Sequence, residues 1–205
     1  LKYAVRRQEE TIYYKRLRMA NPEMSRFKDL ILYNLEAGEA VLTDNNDIRV
    51  YTDGKEKFRA LIEEMKQAKR YIHMQYYIIR NDELWQEVEK VLIQKAREGV
   101  EVRVLFDSMG CRTMKNRDWE RLEKEGIQVA EFFPALLGQL QLRVNYRNHR
   151  KIVVIDGRVG FVGGFNVGRE YLGRDKKFGY WRDTHLCIEG AAVTSLAVRF
   201  VLDWN

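Results

Sequence analysis

The chain of 205 residues is 45% hydrophobic, 12% aromatic and 32% charged, which permits one well-buried core, falls short of two complete domains and excludes a disordered polymer. Its net charge of +6 favours anionic partners without choosing among nucleic acid, an anionic lipid surface and a phosphate substrate. Cys111 and Cys187 are far apart and lack zinc-site spacing, so they are read as reduced thiols.

No apolar run approaches the roughly 20 residues that span a bilayer, and no signal peptide is visible. Residues 6 to 37 are rich in basic and aromatic side chains, among them Arg6, Arg7, Tyr13, Tyr14, Lys15, Arg16 and Arg18, and Asn21-Pro22 opens a second helical stretch. A membrane-surface amphipathic helix and a solvated helix packed on the domain both fit this segment. Residues 1–44 are therefore set apart as a helical, juxtamembrane segment and 45–205 as a domain of its own.

Within that domain, Asp47 to Thr52 reads as a strand, Asp53-Gly54 as a turn, and Lys55 to Lys69 as a helix with Phe58, Leu61, Ile62 and Met65 at helical spacing. Arg70 to Arg80 is dense in aromatic and β-branched residues, as a buried strand is. His73 on it is read as a core histidine, with Gln75 and Tyr77 on its face. A helix over Glu83–Glu98, a strand over Val100–Phe106, a helix over Asn116–Glu125 and a strand over Ile127–Phe133 follow. The alternation predicts an α/β fold: a mixed sheet with helices on both faces, parallel pairs joined by right-handed crossovers, and antiparallel strands added by a hairpin from Leu142 onward. Pro134 to Gln141 is a leucine-rich loop that either touches acyl chains or covers the core. Gly168 to Tyr180 is a loop over the site, Thr184–Ile188 a strand and Ala191–Trp204 a closing helix.

The chemistry concentrates in Asn148 to Asn166, NHRKIVVIDGRVGFVGGFN. At a period of two, His149, Lys151, Val153 and Ile155 share one face of a strand, so an imidazole and an ammonium project side by side. Asp156-Gly157 signals a hairpin returning through Val159 to Val162. With Gly157-Arg158 as the loop, His149 faces Asn166 and Lys151 faces Gly164; with Asp156-Gly157, His149 faces Gly164. Either register sets a glycine beside the His-Lys pair and leaves room for an anion. An imidazole attacks phosphorus, a lysine offsets charge on phosphate oxygens and an asparagine amide donates to them, with no metal and no cofactor required.

His149, Lys151, Asp156 and Gly163-Gly164-x-Asn166 at these spacings resemble the signature of the phospholipase D superfamily, with Gly-Gly where Gly-Ser is commoner. TDGKEKF at 52–58, QYYIIR at 75–80, EGVEVRVLFDSMG at 98–110, GGFNVGREYLG at 163–173 and YWRDTHLCIEG at 180–190 are similar to its bacterial cardiolipin synthase branch. The resemblance implies phosphatidyl transfer between two phosphatidylglycerol molecules with release of glycerol. His149 would be the nucleophile or the acid, Lys151, Gly164 and Asn166 would hold the phosphate, and Asp183 would steer His149. Asp156 belongs to the motif yet points to the opposite strand face, so its expected part is to shape the turn and brace the site. The resemblance also implies an anionic membrane as partner, a bacterial cell membrane location with the domain on the cytoplasmic side, and no nucleic acid. Only one motif is present where that branch uses two, so either a second motif-bearing half follows Asn205 or two copies pair as a homodimer. Two rival functions are a nuclease of the same superfamily acting as a homodimer, and a non-catalytic module that binds anionic membranes. A dinucleotide or P-loop reading of the Gly157 to Gly168 region fails on spacing.

Overall fold

A computed structural model of the chain describes residues 2, 6, 7, 22–132 and 147–205. The predicted leucine-rich loop at 134–141, residues 8–21 of the basic-aromatic entry and residues 142–146 that were to start the hairpin lie outside them. The chain divides into two compact units, Leu1–Asn45 and Asn46–Asn205. In the first, a 3-10 segment (Pro22–Phe27) runs into helix α1 (Lys28–Gly38). Ile31 and Leu35 of α1 are buried against Met24, Leu32, Val41 and Leu42.

The second unit is built on seven strands: β1 (Asp47–Asp53), β2 (Tyr71–Tyr76), β3 (Glu101–Asp107), β4 (Gln128–Phe132), β5 (Ile152–Ile155), β6 (Val159–Gly163) and β7 (Arg182–Glu189). Four helices join them: α2 (Gly54–Lys66), α3 (Glu83–Arg97), α4 (Asn116–Lys124) and α5 (Ala192–Trp204). The sheet order is β1-β7-β6-β5-β2-β3-β4. β2, β3 and β4 are parallel, and β5, β6, β7 and β1 form an antiparallel meander that joins the parallel half where β5 pairs with β2. The mixed sheet read from the alternation of elements is the one observed.

The two faces differ in cover. Phe58, Leu61 and Met65 of α2, Trp85, Val88 and Leu92 of α3 and Trp119 and Leu122 of α4 share one core with Met74, Val104, Val153 and Phe161 of the sheet. The other face carries Ile152, Val154, Ile188 and Val193, with Leu196 and Ala197 of α5 packed against them. β5 is buried on both faces, so IVVI is apolar without a break, as a central strand requires. Each such side chain taken out of water stabilises the fold by about 1.5–3 kcal/mol. Helix starts are set by carboxylates: Asp53 accepts from Lys55 N at 2.8 Å, and Asp82 from Leu84 N at 3.1 Å, so Asp53 caps α2 instead of ending a turn before it.

Three expectations need correction. The strand predicted to start at His149 begins at Ile152, so residues 147–151 approach the sheet as irregular chain. The 70–80 strand stops at Tyr76, because the segment beyond turns to bond elsewhere: Ile78 N meets Asn166 and Arg80 N meets Val167 O. Neither hairpin register holds. Ile155 pairs with Val159 across a three-residue loop, Asp156 to Arg158, with Asp156 at φ 58° and Gly157 at φ 67°. Two consecutive left-handed residues suit an Asp-Gly pair, since glycine adopts that conformation freely and aspartate tolerates it. The resulting ladder sets Ile152 opposite Val162, and continuing it brings Gly163 rather than Gly164 into line with Lys151.

Candidate active site

The C-terminal ends of β2 and β3, the approach to β5, the end of β6 and the start of β7 meet at one end of the sheet. In open sheets ligands gather where parallel strands end and the topology changes direction. The β2–β5 boundary is such a point.

Residues 147–151 cross it, held by side chains. Asn148 is buried, donates its backbone N–H to Asp107 Oδ2 at 3.1 Å and its side-chain amide to Asp203 Oδ2 at 2.9 Å, and accepts from Arg150 N at 3.1 Å. With its neighbour anchored, His149 is left exposed, while Lys151 is buried to 3% exposure. Lys151 Nζ reaches His149 Nδ1 at 2.9 Å and the His149 carbonyl oxygen at 2.6 Å. The predicted imidazole–ammonium pair thus forms although the strand that was to present it is shorter. The Tyr77 ring lies 4.5 Å from that of His149, centroid to centroid, and Lys151 Nζ lies 5.5 Å from the Tyr77 ring. Among the described residues no hydrogen bond reaches His149 Nε2.

Electrostatics set both charges. Burial, then the adjacent Lys151, lower the His149 pKa below the usual imidazole range, with Asp107 opposing, so the ring is neutral at pH 7. Burial pulls the Lys151 ammonium down to about 8, against the pull of Asp183 in the other direction. Lys151 therefore remains mostly charged at neutral pH, and it loses its proton far more readily than an exposed lysine.

Asp183, the second residue of β7, lies against Gly164: a Cβ there would sit 1.9 Å from Asp183 Oδ1. The second glycine of the pair thus makes room for a carboxylate of the site's own, and Thr184 N donates to it at 2.7 Å. Its charge raises the pKa of Lys151 and of Tyr171, whereas His149 Nδ1 is engaged by Lys151. Asn166 is 5% exposed; its Oδ1 accepts from Ile78 N at 3.0 Å and its Nδ2 donates to the Tyr171 hydroxyl at 2.9 Å. One amide hydrogen is left over, so Asn166 braces the pocket floor more than it faces a ligand.

Asp156 stands apart from this group, at the opposite end of β5. Its carboxylate accepts from the backbone N–H of Lys69 at 2.8 Å, Arg70 at 2.8 Å and Tyr71 at 2.9 Å. Burial raises its pKa, but the three amides and Arg158 outweigh that and hold it below the usual carboxylate range. The structure does not place Asp156 with His149 and Lys151 as a catalytic group.

Sequence reading missed several residues. His185, Lys57 and Tyr76 form a buried polar group on the α2 face: Lys57 Nζ donates to the Tyr76 hydroxyl at 2.7 Å, and both are at most 1% exposed. His185, fully buried, packs over Gly163 and stacks on Phe165, and neither ring nitrogen has a hydrogen-bond partner. Lys57 looked like any lysine on an amphipathic helix; nothing in its spacing marked it. Asp107 follows the predicted strand and Asp203 falls inside the predicted closing helix, and nothing in their spacing marked either. His73 has its Nε2 3.0 Å from Glu101 and stacks on Phe200 at 4.7 Å, away from the pair. Among the described residues no group of three His, Cys, Asp or Glu side chains is placed to hold a metal ion, and no helix is long and apolar enough to cross a membrane.

Comparison with known proteins identifies a family and a fold. Residues 61–189 match the family model described as cardiolipin synthase, PLD-like domain. The chain is 52% identical over 184 residues to a cardiolipin synthase of Oceanobacillus iheyensis, covering 90% of the chain and 38% of that protein. It is 48% identical over 201 residues to the major cardiolipin synthase ClsA of Bacillus subtilis, covering 98% and 42%. It thus spans about two fifths of the length of these relatives. Among solved structures, NucT from Helicobacter pylori superposes with a TM-score of 0.59 at 13% identity over 78% of this chain and 96% of that one. Phosphatidylserine synthase from Haemophilus influenzae does so at 0.60 and 20% identity over 76% and 36%.

Proposed function

The chain belongs to the phospholipase D-like domain family of cardiolipin synthases, and from that premise we propose that it supplies one half of a centre that transfers a phosphatidyl group between two phosphatidylglycerol molecules. The single observation that carries this reading is the neutral, exposed imidazole of His149 beside a buried ammonium.

Attack on phosphorus needs a lone pair on Nε2, so the imidazole proton must sit on Nδ1. In the resting arrangement Lys151 donates to Nδ1 and keeps that proton off it. An arriving phosphodiester draws the ammonium onto its oxygens and releases Nδ1, and the exposed ring exchanges its Nε2 proton through water for one on Nδ1. Nε2 then bonds to phosphorus as the bond to the headgroup glycerol oxygen breaks, and a histidine of a second motif gives that oxygen a proton. In the return step the hydroxyl of a second phosphatidylglycerol loses its proton to that histidine and attacks phosphorus; the P–N bond breaks and cardiolipin leaves. Splitting the transfer this way keeps the phosphatidyl group on the enzyme until an acceptor alcohol arrives. The second motif comes from further sequence or a second copy, and a phosphatidylglycerol substrate is what supports a site at the cytoplasmic face of a bacterial membrane.

The test is incubation of the protein with both motifs present, on one longer chain or on two paired copies, with phosphatidylglycerol vesicles and, separately, with plasmid DNA, followed by acid quench and alkaline quench. Cardiolipin, free glycerol and an acid-labile, base-stable phosphate on His149 are expected, all absent in His149→Asn. Nicked plasmid with intact lipid would transfer the chain to the nuclease reading, and binding of vesicles with neither product would leave a membrane-binding module.

A further inference from the structure

Asp203 is the next-to-last residue of α5, a helix end where a carboxylate is disfavoured by the helix dipole. It is nevertheless buried, at 8% side-chain exposure, and collects donors from two directions. From the sheet, Gln75 Nε2 donates to its Oδ2 at 2.8 Å. From the irregular segment ahead of β5, Asn148 Nδ2 and Arg150 Nη1 donate to the same oxygen, each at 2.9 Å. Asn148 and Arg150 are the two neighbours of His149 in sequence. Gln75 is the register partner of Ile152, the first residue of β5.

This segment has no ladder bonds of its own. What fixes it is Asp107 on its backbone, the Asn148 side chain on Arg150 N, and the Asp203 carboxylate tying both flanking side chains to a rigid strand. Those flanking side chains face α5, and His149 and Lys151 face the other way. A residue on the back of the sheet thereby sets where the reacting nitrogen stands on the front.

We infer that Asp203 is a positioning residue for His149, a role that rests on the phosphatidyl-transfer reading for its effect on rate and on geometry alone for its effect on the imidazole. A shift in placement of about 1 Å costs a positioned reaction on the order of 100-fold.

The experiment is Asp203→Asn, which keeps volume but removes the negative charge that grips three donors on one oxygen, with Leu202→Ala as control, since Leu202 is 56% exposed on the same turn. In the transfer assay D203N lowers kcat on the order of 10- to 100-fold and leaves KM within about twofold; L202A changes neither. In the 205-residue chain, labelled for histidine NMR, the His149 pKa rises toward the free imidazole value near 6.5 in D203N, because the loosened ring is rehydrated and leaves Lys151. Loss of a nearby negative charge alone moves that pKa down, so the direction separates repositioning from simple electrostatics. A folded D203N with His149 titrating as before, or lower, overturns the inference. If D203N does not fold, Asn148→Ala, which removes one of the grips, is expected to shift His149 the same way, and an unmoved titration there overturns it. Absence of transfer by the wild type would refute the activity and still leave the titration to decide the role of Asp203.

Discussion

At the scale of single residues, the site lowers the pKa of two basic neighbours at once. His149 is held neutral and Lys151 is brought to about 8 by burial, with Asp183 resisting. A reaction that needs neutral His149 and charged Lys151 has a bell-shaped profile for kcat/KM. The acid limb lies below the ordinary histidine pKa, and activity falls as pH rises through about 8. Asp183 raises the Lys151 pKa, so in Asp183→Asn the alkaline limb moves to lower pH while the acid limb stays; a limb that does not move would show that Lys151 is not the group titrating. These two residues were legible because His-x-Lys at a period of two puts both side chains on one face whether or not the backbone is in a ladder. The packing of Asp183 against Gly164 was not legible, since it depends on a contact between β6 and β7.

At the scale of elements, β5 is a four-residue strand fastened at both ends by polar groups, with the His-Lys pair at one and Asp156 at the other. Asp156→Asn removes one of two acceptor oxygens and turns an amide toward the Lys69 N–H, leaving a donor unpaired. A cost of about 2–3 kcal/mol in unfolding free energy is expected, read by urea or thermal unfolding. Because the folded pKa of Asp156 is depressed, its contribution is complete above the unfolded value near 3.9 and is lost as pH falls through the folded one. The D156N deficit is therefore large at neutral pH and shrinks in strong acid. A phosphate still forming on His149 in folded D156N is also expected, since the carboxylate is remote from the pair. The sheet and its helices could be read from sequence because periodicity reports which face is buried. The hairpin register could not: Asp-Gly marks a turn but not whether two or three residues make it, and that choice moved the glycine aligned with Lys151 by one place.

At the scale of the whole molecule, the core encloses two basic side chains whose charged forms burial disfavours. Burial lowers the Lys57 pKa well below its usual value, and burial with Lys57 and Lys151 nearby takes His185 down to about 2. Both folded values lie below the unfolded ones, so the unfolded chain binds more protons and stability rises with pH. The His185 share is lost as pH falls below about 6.5, at about 1.4 kcal/mol per pH unit; the Lys57 share keeps stability rising up to about 10.4. Lys57→Met should flatten the alkaline part of a plot of unfolding free energy against pH, and an unchanged slope would mean that Lys57 stays charged inside the fold. Sequence gave no warning of this, because a lysine on an amphipathic helix is expected to reach solvent. The strand order has a further consequence for how the chain is made. Among the described residues β1 pairs with β7 alone, so this strand finds its neighbour about 130 residues later, near the end of the stretch. The parallel β2-β3-β4 layer closes through local crossovers, whereas the pocket at the β2–β5 boundary requires a distant partner. The catalytic arrangement therefore belongs to the slow, non-local stage of folding, and a ribosome that stalls before β7 releases a sheet with its first strand unmatched.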